Sequence, residues 1–424
     1  IETVAVYSSA DELSLHVRFA DEAVCIGPPP GSESYMNIPS ILSAAELTNS
    51  DAIHPGYGFL SENPEFAQIC TDNGFVFIGP PAETILSMGE KATAKKSMHE
   101  AGVPVIPGST GVISSVVEAQ KIASEIGFPI MLKASAGGGG RGMRIVKEPD
   151  QLERAFATAS SEARSAFING DLYLEKYVEK SRHIEIQILA DRHGNVIHFG
   201  ERECSLQRRH QKLIEESPSP IIDEELRQKI GSAAVQGAAS IGYVGLGTVE
   251  FLFDSKSKEF YFMEMNTRIQ VEHPVTEMVM GKDLVKMQIR LAVGEEIPSY
   301  LAQQKLRGHA MECRINAEDP SNDFIPSPAK VEEFYAPGGN GVRMDSHVYA
   351  GYEISPHYDS LIGKLIVHSE DRNTTINRMQ RALEETIIEG PKTTIPFHQA
   401  IMRNSDFQAG NFHTDFLETF VYEE

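Results

Sequence analysis

Between two strand-like segments, "FPIMLKAS" (128–135) and "MRIVK" (143–147), the chain places "AGGGGRG", with five glycines in seven residues. A glycine run in that setting makes a hairpin whose backbone comes close to whatever it covers, because no Cβ intervenes. The run matches G-x-G-x-x-G formally, but a dinucleotide-binding turn opens directly into a helix, and "MRIVK" alternates as a strand does. A Walker-type loop is excluded because no Gly-Lys-Ser or Gly-Lys-Thr follows, and a kinase-type hairpin because the chain has no H-R-D or D-F-G segment. What remains is a hairpin that folds over a nucleotide, weighed against a plain unliganded tip. Lys133 at the end of one strand and Arg141 in the loop favour the nucleotide, since cations there would meet phosphate oxygens.

The flanking pattern predicts a small α+β unit over residues 105–178: helix, strand, glycine hairpin, strand, the helix "PDQLERAFATASSEARSAF" and the strand "LYLEKYV". Upstream, the short apolar runs "TVAVYS", "AVCIG", "DAIHPG" and "GFVFIG" alternate with helical patterns, the rhythm of a parallel βαβ sheet over residues 1–78. Residues 79–104 read as a helical connection. From "RHIEIQILAD" onward alternating strands dominate, which predicts a mainly antiparallel sheet with helices beside it over residues 179–424. The expected fold class is therefore mixed, α/β at the N-terminus and α+β beyond, and 424 residues provide two or three cores.

Asp and Glu number 60 against 38 Lys and Arg, a formal net charge of -22, so the overall field repels nucleic acid and anionic membrane surfaces. No apolar run approaches the ~18 residues of a membrane span. Cys25, Cys70, Cys204 and Cys313 show no metal-ligand spacing, which fits a reduced protein of the cytoplasm or of an organelle matrix, with the cytoplasm expected. The chain opens at Ile1 and enters a strand pattern at once, so a preceding segment is expected.

Three groups of residues carry candidate chemistry. Glu250 lies in "GTVEFLF", and Glu264 and Asn266 lie in "FYFMEMN" on the next strand; residues two apart share a face, so Glu264 and Asn266 project together and a hairpin sets Glu250 opposite. Such oxygen donors suit Mg²⁺. In "NTRIQVEHP", Arg268, Gln270 and Glu272 recur at every second position; if extended, they line one face as cation, amide and base for a small oxyanion. "QRRHQK" concentrates Arg208, Arg209, His210 and Lys212 in an otherwise acidic chain, either a solvated basic turn or a local anion site.

The ordered blocks "HPGYGFLSEN", "MGEKATAK", "KASAGGGGRGM", "EKYVEKSRHIEIQILAD", "QRRHQK", "EMNTRIQVEHPVTEM", "ECRINAEDP" and "YDSLIGKL" together closely resemble biotin carboxylase, of the ATP-grasp superfamily, through nearly the whole chain. The resemblance implies an ATP-grasp fold whose glycine hairpin is a lid. It also implies MgATP- or MnATP-dependent phosphorylation of bicarbonate to carboxyphosphate, followed by carboxylation of biotin. Carried over by position, Lys91, Lys133 and Lys212 are phosphate-side cations, and the backbone of Gly137, Gly138, Gly139 and Gly140 closes over the triphosphate. Glu175, Lys176, Val178, His183, Gln207, His210 and Leu252 enclose adenine and ribose. Glu250 and Glu264 hold the metal, with Asn266 adjoining them.

The same resemblance implies that Arg268, Gln270 and Val271 would hold bicarbonate, that Glu272 would remove its proton, and that Arg314 would stabilise the ureido oxygen of biotin. No Met-Lys-Met biotin attachment motif occurs, so a biotin carboxyl carrier protein is an expected partner, with carboxyltransferase subunits and a second copy in a homodimer. The expected parent is acetyl-CoA carboxylase, in the first half-reaction of fatty acid synthesis. Pyruvate, propionyl-CoA and methylcrotonyl-CoA carboxylases are the alternatives, with a carbamoyl-phosphate-synthetase-type ligase and a non-catalytic ATP-binding subunit beyond them. Relative to the family pattern, the first strand of the N-terminal sheet precedes Ile1.

Overall fold

The computed structural model describes residues 1–109, 111–134, 143–167 and 172–422. The chain divides into two compact units: Ile1–Val103, Arg182–Phe251 and Glu264–Glu424 in the first, Pro104–Ser181 and Leu252–Met263 in the second.

At the start of the first unit, β1 (Val4–Ser8) pairs in parallel with β2 (Glu22–Gly27), and β3 (Ala52–Ile53) with β4 (Val76–Phe77). The expected single parallel sheet is thus present as two parallel pairs. β3 and β4 are only two residues long, so they have too few ladder positions to extend a sheet. Packing unites them instead, for Ile26 and Phe77 meet Ile41, Phe66 and Ile85 in one apolar cluster. Helix Pro64–Asp72 belongs to that cluster; Asn63 caps it by accepting from Phe66 N, and Pro64 opens it where no backbone donor is needed.

The second unit follows the pattern expected from its sequence. β5 (Ile130–Ala134) lies between β6 (Met143–Val146) and β7 (Leu172–Lys176), antiparallel to both. Helices Val116–Ile126 and Leu152–Phe167 bury Ala119, Ala123, Ala159 and Ala163 against Ile130, Leu132 and Leu174. Small residues at helical spacing let the helix backbones approach the sheet closely. Gly137, Gly138, Gly139, Gly140 and Arg141 lie outside the described residues.

The remaining strands of the first unit are β8 (Ser181–Ala190), β9 (Val196–Arg208), β10 (Gln211–Ser217), β11 (Gly245–Asp254), β12 (Phe260–Asn266) and β13 (His309–Asn316), then β14 (Glu318–Asp319), β15 (Ile325–Pro326), β16 (Glu333–Tyr335), β17 (Val342–Ser346), β18 (Leu361–Ser369) and β19 (Ile387–Glu389). Eight of them form one sheet in the order β12-β11-β8-β9-β10-β13-β18-β17. From β8 to β17 each neighbouring pair runs antiparallel, as expected from the sequence. Leu252–Met263, the far parts of β11 and β12, belong to the second unit.

Helices Arg372–Glu385 and Ile395–Arg403 bury Met379, Leu383 and Ile401 against Met311, Cys313 and Leu365 on one face of this sheet. Helix His273–Met280 packs against β9, β10, β13 and β18. All ten residues of β8 are buried, including Glu185 and Gln187. A buried strand with charged residues needs internal partners for them, and these lie in the candidate site. No helix among the described residues is long and apolar enough to cross a membrane.

Candidate active site

The β9–β10 hairpin turns at Arg209 and His210, both with positive φ (50° and 65°), the geometry of a two-residue turn that matches strand twist. That turn fixes the fate of the basic cluster. Arg208 and Arg209 pair with Asp323 at the surface, while Lys212, one strand position into β10, points inward with its side chain 12 % exposed. Gln207 is its register partner, and His210 is exposed at the tip.

Lys212 Nζ donates to three carboxylates: Glu185 Oε2 at 2.6 Å, Glu250 Oε1 at 3.0 Å and Glu272 Oε1 at 2.6 Å. Burial alone would lower the Lys212 pKa, but these three anions outweigh it and hold the ammonium well above its ordinary value. Glu272 also accepts from Arg314 Nη2 at 2.8 Å. Burial would raise its carboxyl, yet Lys212, Arg314 and Arg202 hold it well below the usual carboxylate range. Arg314 in turn donates through Nε to Glu215 Oε1 at 2.6 Å. Lys212, Glu272 and Arg314 thus form one connected chain of charges, drawn from β10, the segment before helix His273–Met280 and β13.

The expectation that Arg268, Gln270 and Glu272 line a single extended face does not hold. β12 ends at Asn266, and residues 267–272 bend into the helix that Pro274 opens. Glu62 captures the bend, accepting from Thr267 N and Arg268 Nε, both at 2.9 Å. The three side chains consequently diverge. Arg268 Nη2 donates to Asn266 Oδ1 at 3.1 Å, Gln270 Nε2 donates to Glu250 Oε1 at 2.8 Å, and Glu272 reaches Lys212 and Arg314. Val271 offers its carbonyl to Lys364 Nζ at 2.8 Å.

Glu250 lies opposite Asn266, whose Nδ2 donates to Glu250 Oε1 at 2.9 Å, and His183 Nε2 is 2.9 Å from Glu250 Oε2. Burial would lower the His183 pKa, but the Glu250 carboxylate raises it. Glu264 is less enclosed, with Lys91 Nζ 3.9 Å from its Oε2. Its pKa is raised by burial and then by the Glu250 charge. Lys212 and His183 keep Glu250 ionised despite burial, and its charge penalises Glu264; two such carboxyl groups with an amide beside them fit a divalent cation bound through oxygen.

Within the second unit, Lys133 Nζ donates to Glu175 Oε2 at 2.6 Å and lies 5.8 Å from the centre of the Tyr173 ring. Lys176 Nζ donates to the carbonyls of Gly127 and Phe128, both at 3.0 Å. Val178 is buried and Leu252 partly so.

Four residues absent from the sequence reading support the site: Glu62, Glu185, Arg202 and Glu215. Arg202 is fully buried and donates to Glu185, Gln187, Thr276, Thr248 and Gln270. It fixes both the amide of Gln270 and the carboxylate that anchors Lys212. Replacing it with Met (R202M) takes one cation from Glu185, which keeps Lys212, and leaves the buried side-chain oxygens of Gln187, Thr276, Thr248 and Gln270 without their donor, so a stability loss of about 3–5 kcal/mol is expected in urea titrations. A loss under ~1 kcal/mol would contradict this account of the network.

Family models match in three consecutive blocks: the biotin carboxylase N-terminal domain over residues 1–85, the carbamoyl-phosphate synthase L chain ATP-binding domain over 90–300, and the biotin carboxylase C-terminal domain over 312–419. The biotin carboxylase of Nostoc sp. is 58% identical, covering 99% of this chain and 93% of that protein. A pyruvate carboxylase subunit of Methanothermobacter thermautotrophicus is 57% identical over 99% of this chain and 85% of its own length. A solved structure of the Hydrogenobacter thermophilus 2-oxoglutarate carboxylase biotin carboxylase domain dimer, in complex with MgADP, ADP and bicarbonate, is similar with a TM-score of 0.89. It is 50% identical, covering 100% of this chain and 94% of that one. The chain therefore belongs to the biotin carboxylase family, a family of ATP-dependent ligases with an ATP-grasp fold.

Proposed function

We propose that this chain uses MgATP to phosphorylate bicarbonate and then carboxylates biotin presented by a biotin carboxyl carrier protein. The observation that supports this most strongly is the chain Lys212–Glu272–Arg314, a carboxylate held between two cations that can exchange partners when anionic substrates enter. In this reading Arg268, Gln270 and Val271 position bicarbonate, and Glu272 removes its proton as the bicarbonate oxygen attacks the γ-phosphorus of ATP, releasing ADP. Lys91, Lys133 and Lys212 balance phosphate charge, with Gly137, Gly138, Gly139 and Gly140 assigned to the lid. Glu175, Lys176, Val178, His183, Gln207, His210 and Leu252 take the adenosine. Glu250, Glu264 and Asn266 are the candidate metal ligands, and bound Mg²⁺ would supply charge neutralisation on the phosphates.

Carboxyphosphate then breaks at its C–O bond into CO₂ and inorganic phosphate, the phosphate takes the N1' proton of biotin, and N1' bonds to CO₂ while Arg314 stabilises the negative charge that develops on the ureido oxygen. The likeness to a solved dimer supports a homodimer, and the four free cysteines are in keeping with a cytoplasmic setting. The division into residues 1–78, 79–104, 105–178 and 179–424 stands as the proposed domain scheme. For the parent enzyme we propose acetyl-CoA carboxylase, with carboxyltransferase subunits as further partners. The similarity to a subunit of pyruvate carboxylase favours that enzyme as the second reading.

The test is transfer of labelled bicarbonate to free biotin by the purified protein with MgATP. Label in biotin, dependent on ATP, is expected; ATP cleavage that ignores both bicarbonate and biotin would overturn the proposal. Identification of the biotinylated protein that co-purifies with the chain separates the parent enzymes.

A further inference from the structure

Behind Arg314 lies a carboxylate that the proposed reaction leaves without a task. Glu312, on β13, is fully buried, and among the described residues neither of its oxygens has a hydrogen-bond partner. Its register partner across the antiparallel β10–β13 pair is Glu215, also fully buried. Glu215 Oε1 receives Arg314 Nε, while its Oε2 has no partner. Cross-strand partners face the same side with Cβ atoms about 5 Å apart, so two carboxyl groups lie together out of water with one guanidinium bound to one of them. Such a pair cannot remain doubly ionised, since each charge adds to the desolvation cost of the other.

The surrounding charges are already engaged. Lys364, the register partner of Arg314 on β18, gives its ammonium to the Val271 carbonyl and lies 3.9 Å from Asp345 on β17. Lys212 serves Glu185, Glu250 and Glu272. On helix His273–Met280, Glu277 is tied to Arg343 at 2.6 Å, and His273, lowered to about 3 by burial and by Lys364, stays neutral. Burial and the Glu312 charge raise the Tyr57 phenol, and burial with both carboxylates raises the Cys313 thiol, so these two are neutral.

We propose that Glu215 and Glu312 hold one proton between them at pH 8, resident on Glu312, and that ionised Glu215 is the positioning residue that aims Arg314 at the biotin ureido oxygen. The titration order agrees with this geometry. Burial lifts Glu215 to about 7, with Arg314 and Lys212 opposing and the Glu272 carboxylate adding to the rise, whereas burial, Glu215 and Glu272 hold Glu312 well above the ordinary carboxylate value although Lys364 and Arg314 oppose it. As pH falls through about 7 the pair gains its second proton and Glu215 loses the charge that anchors Arg314. The biotin step therefore acquires a rising limb near neutrality that bicarbonate-dependent ATP cleavage lacks.

The task assigned to Arg314 rests on the proposed carboxylase reading; the position of the proton does not. Infrared difference spectra between the unmodified protein and E312Q at pH 8 locate the proton. The carbonyl stretch of a protonated carboxylic acid should be present in the unmodified protein and in E215Q, and absent in E312Q. In kinetics, E215Q should lower kcat/KM for biotin by about a hundredfold and abolish its rising limb, while ATP cleavage changes far less. In E312Q, where an amide replaces the neutral acid, the limb should stay in place. An acid band that survives in E312Q, or a limb that survives in E215Q, overturns the inference even if the unmodified protein carboxylates biotin. Absence of biotin carboxylation in the unmodified protein would instead overturn the functional reading and with it the task of Arg314.

Discussion

Glu272→Gln is expected to reduce bicarbonate-dependent ATP cleavage by about 10²–10⁴-fold, the range lost when a positioned general base is removed. An amide has the same shape and can still accept a hydrogen bond, so folding should survive and the loss should appear in kcat. Glu272 is a poor base in the free site, since Lys212 and Arg314 hold its carboxyl well below the usual carboxylate range despite burial. An entering bicarbonate or phosphate oxygen competes for those same cations. As Lys212 and Arg314 turn towards it, the Glu272 carboxylate loses the charges that depress it and becomes more basic. In the proposed role, base strength is thus coupled to substrate occupancy. No limb from Glu272 is expected in the free protein between about pH 5 and 8, because a depressed carboxyl stays ionised there. Steady-state ATP cleavage with and without bicarbonate measures the effect; a tenfold loss or less would place the base elsewhere.

Arg314→Ala should separate the two half-steps. Biotin carboxylation is expected to fall by about 10²–10³-fold, the cost of removing a donor aimed at a developing oxyanion. ATP cleavage with bicarbonate should fall much less, because Lys212 still contacts Glu272 at 2.6 Å. The substitution also removes the charge that keeps Glu215 partly ionised, so that buried carboxyl should take up a proton. Assaying both activities in one preparation tests the division of labour, and equal losses would contradict it.

The residues proposed to meet substrates were more legible in the sequence than those that hold them. Glu250, Glu264, Glu272, Lys212 and Arg314 stand in recognisable blocks, and in the structure Lys212 contacts Glu250 and Glu272 while Arg314 contacts Glu272. Glu185, Arg202 and Glu215 lie in "HIEIQIL", "GERECS" and "LIEES", where alternating polar and apolar residues look like any half-exposed strand. Helix His273–Met280 packs on β9 and β10, which carry Arg202 and Glu215, and Glu185 is covered as the register partner of Arg202, neither of which a local pattern records. The same alternation misled at residues 266–272, where its period of two continues past the end of β12 although Glu62 and Pro274 bend the backbone. Asp323, which draws Arg208 and Arg209 aside, lies too far along the chain for spacing to reveal the pairing. The antiparallel sheet and the small hairpin unit, by contrast, were readable because their strands are long or bounded by clear turn residues.

The most direct test of the whole account follows one oxygen atom. If bicarbonate attacks ATP, one oxygen of bicarbonate ends in inorganic phosphate when carboxyphosphate breaks down. The protein is therefore incubated with MgATP, biotin and bicarbonate labelled with heavy oxygen, and the phosphate is examined by phosphorus NMR or mass spectrometry. Phosphate carrying a heavy oxygen, formed in step with carboxylated biotin, is the predicted result. Unlabelled phosphate released at the same rate would mean that water, not bicarbonate, attacks ATP, and would contradict the role assigned to Glu272 and its two cations.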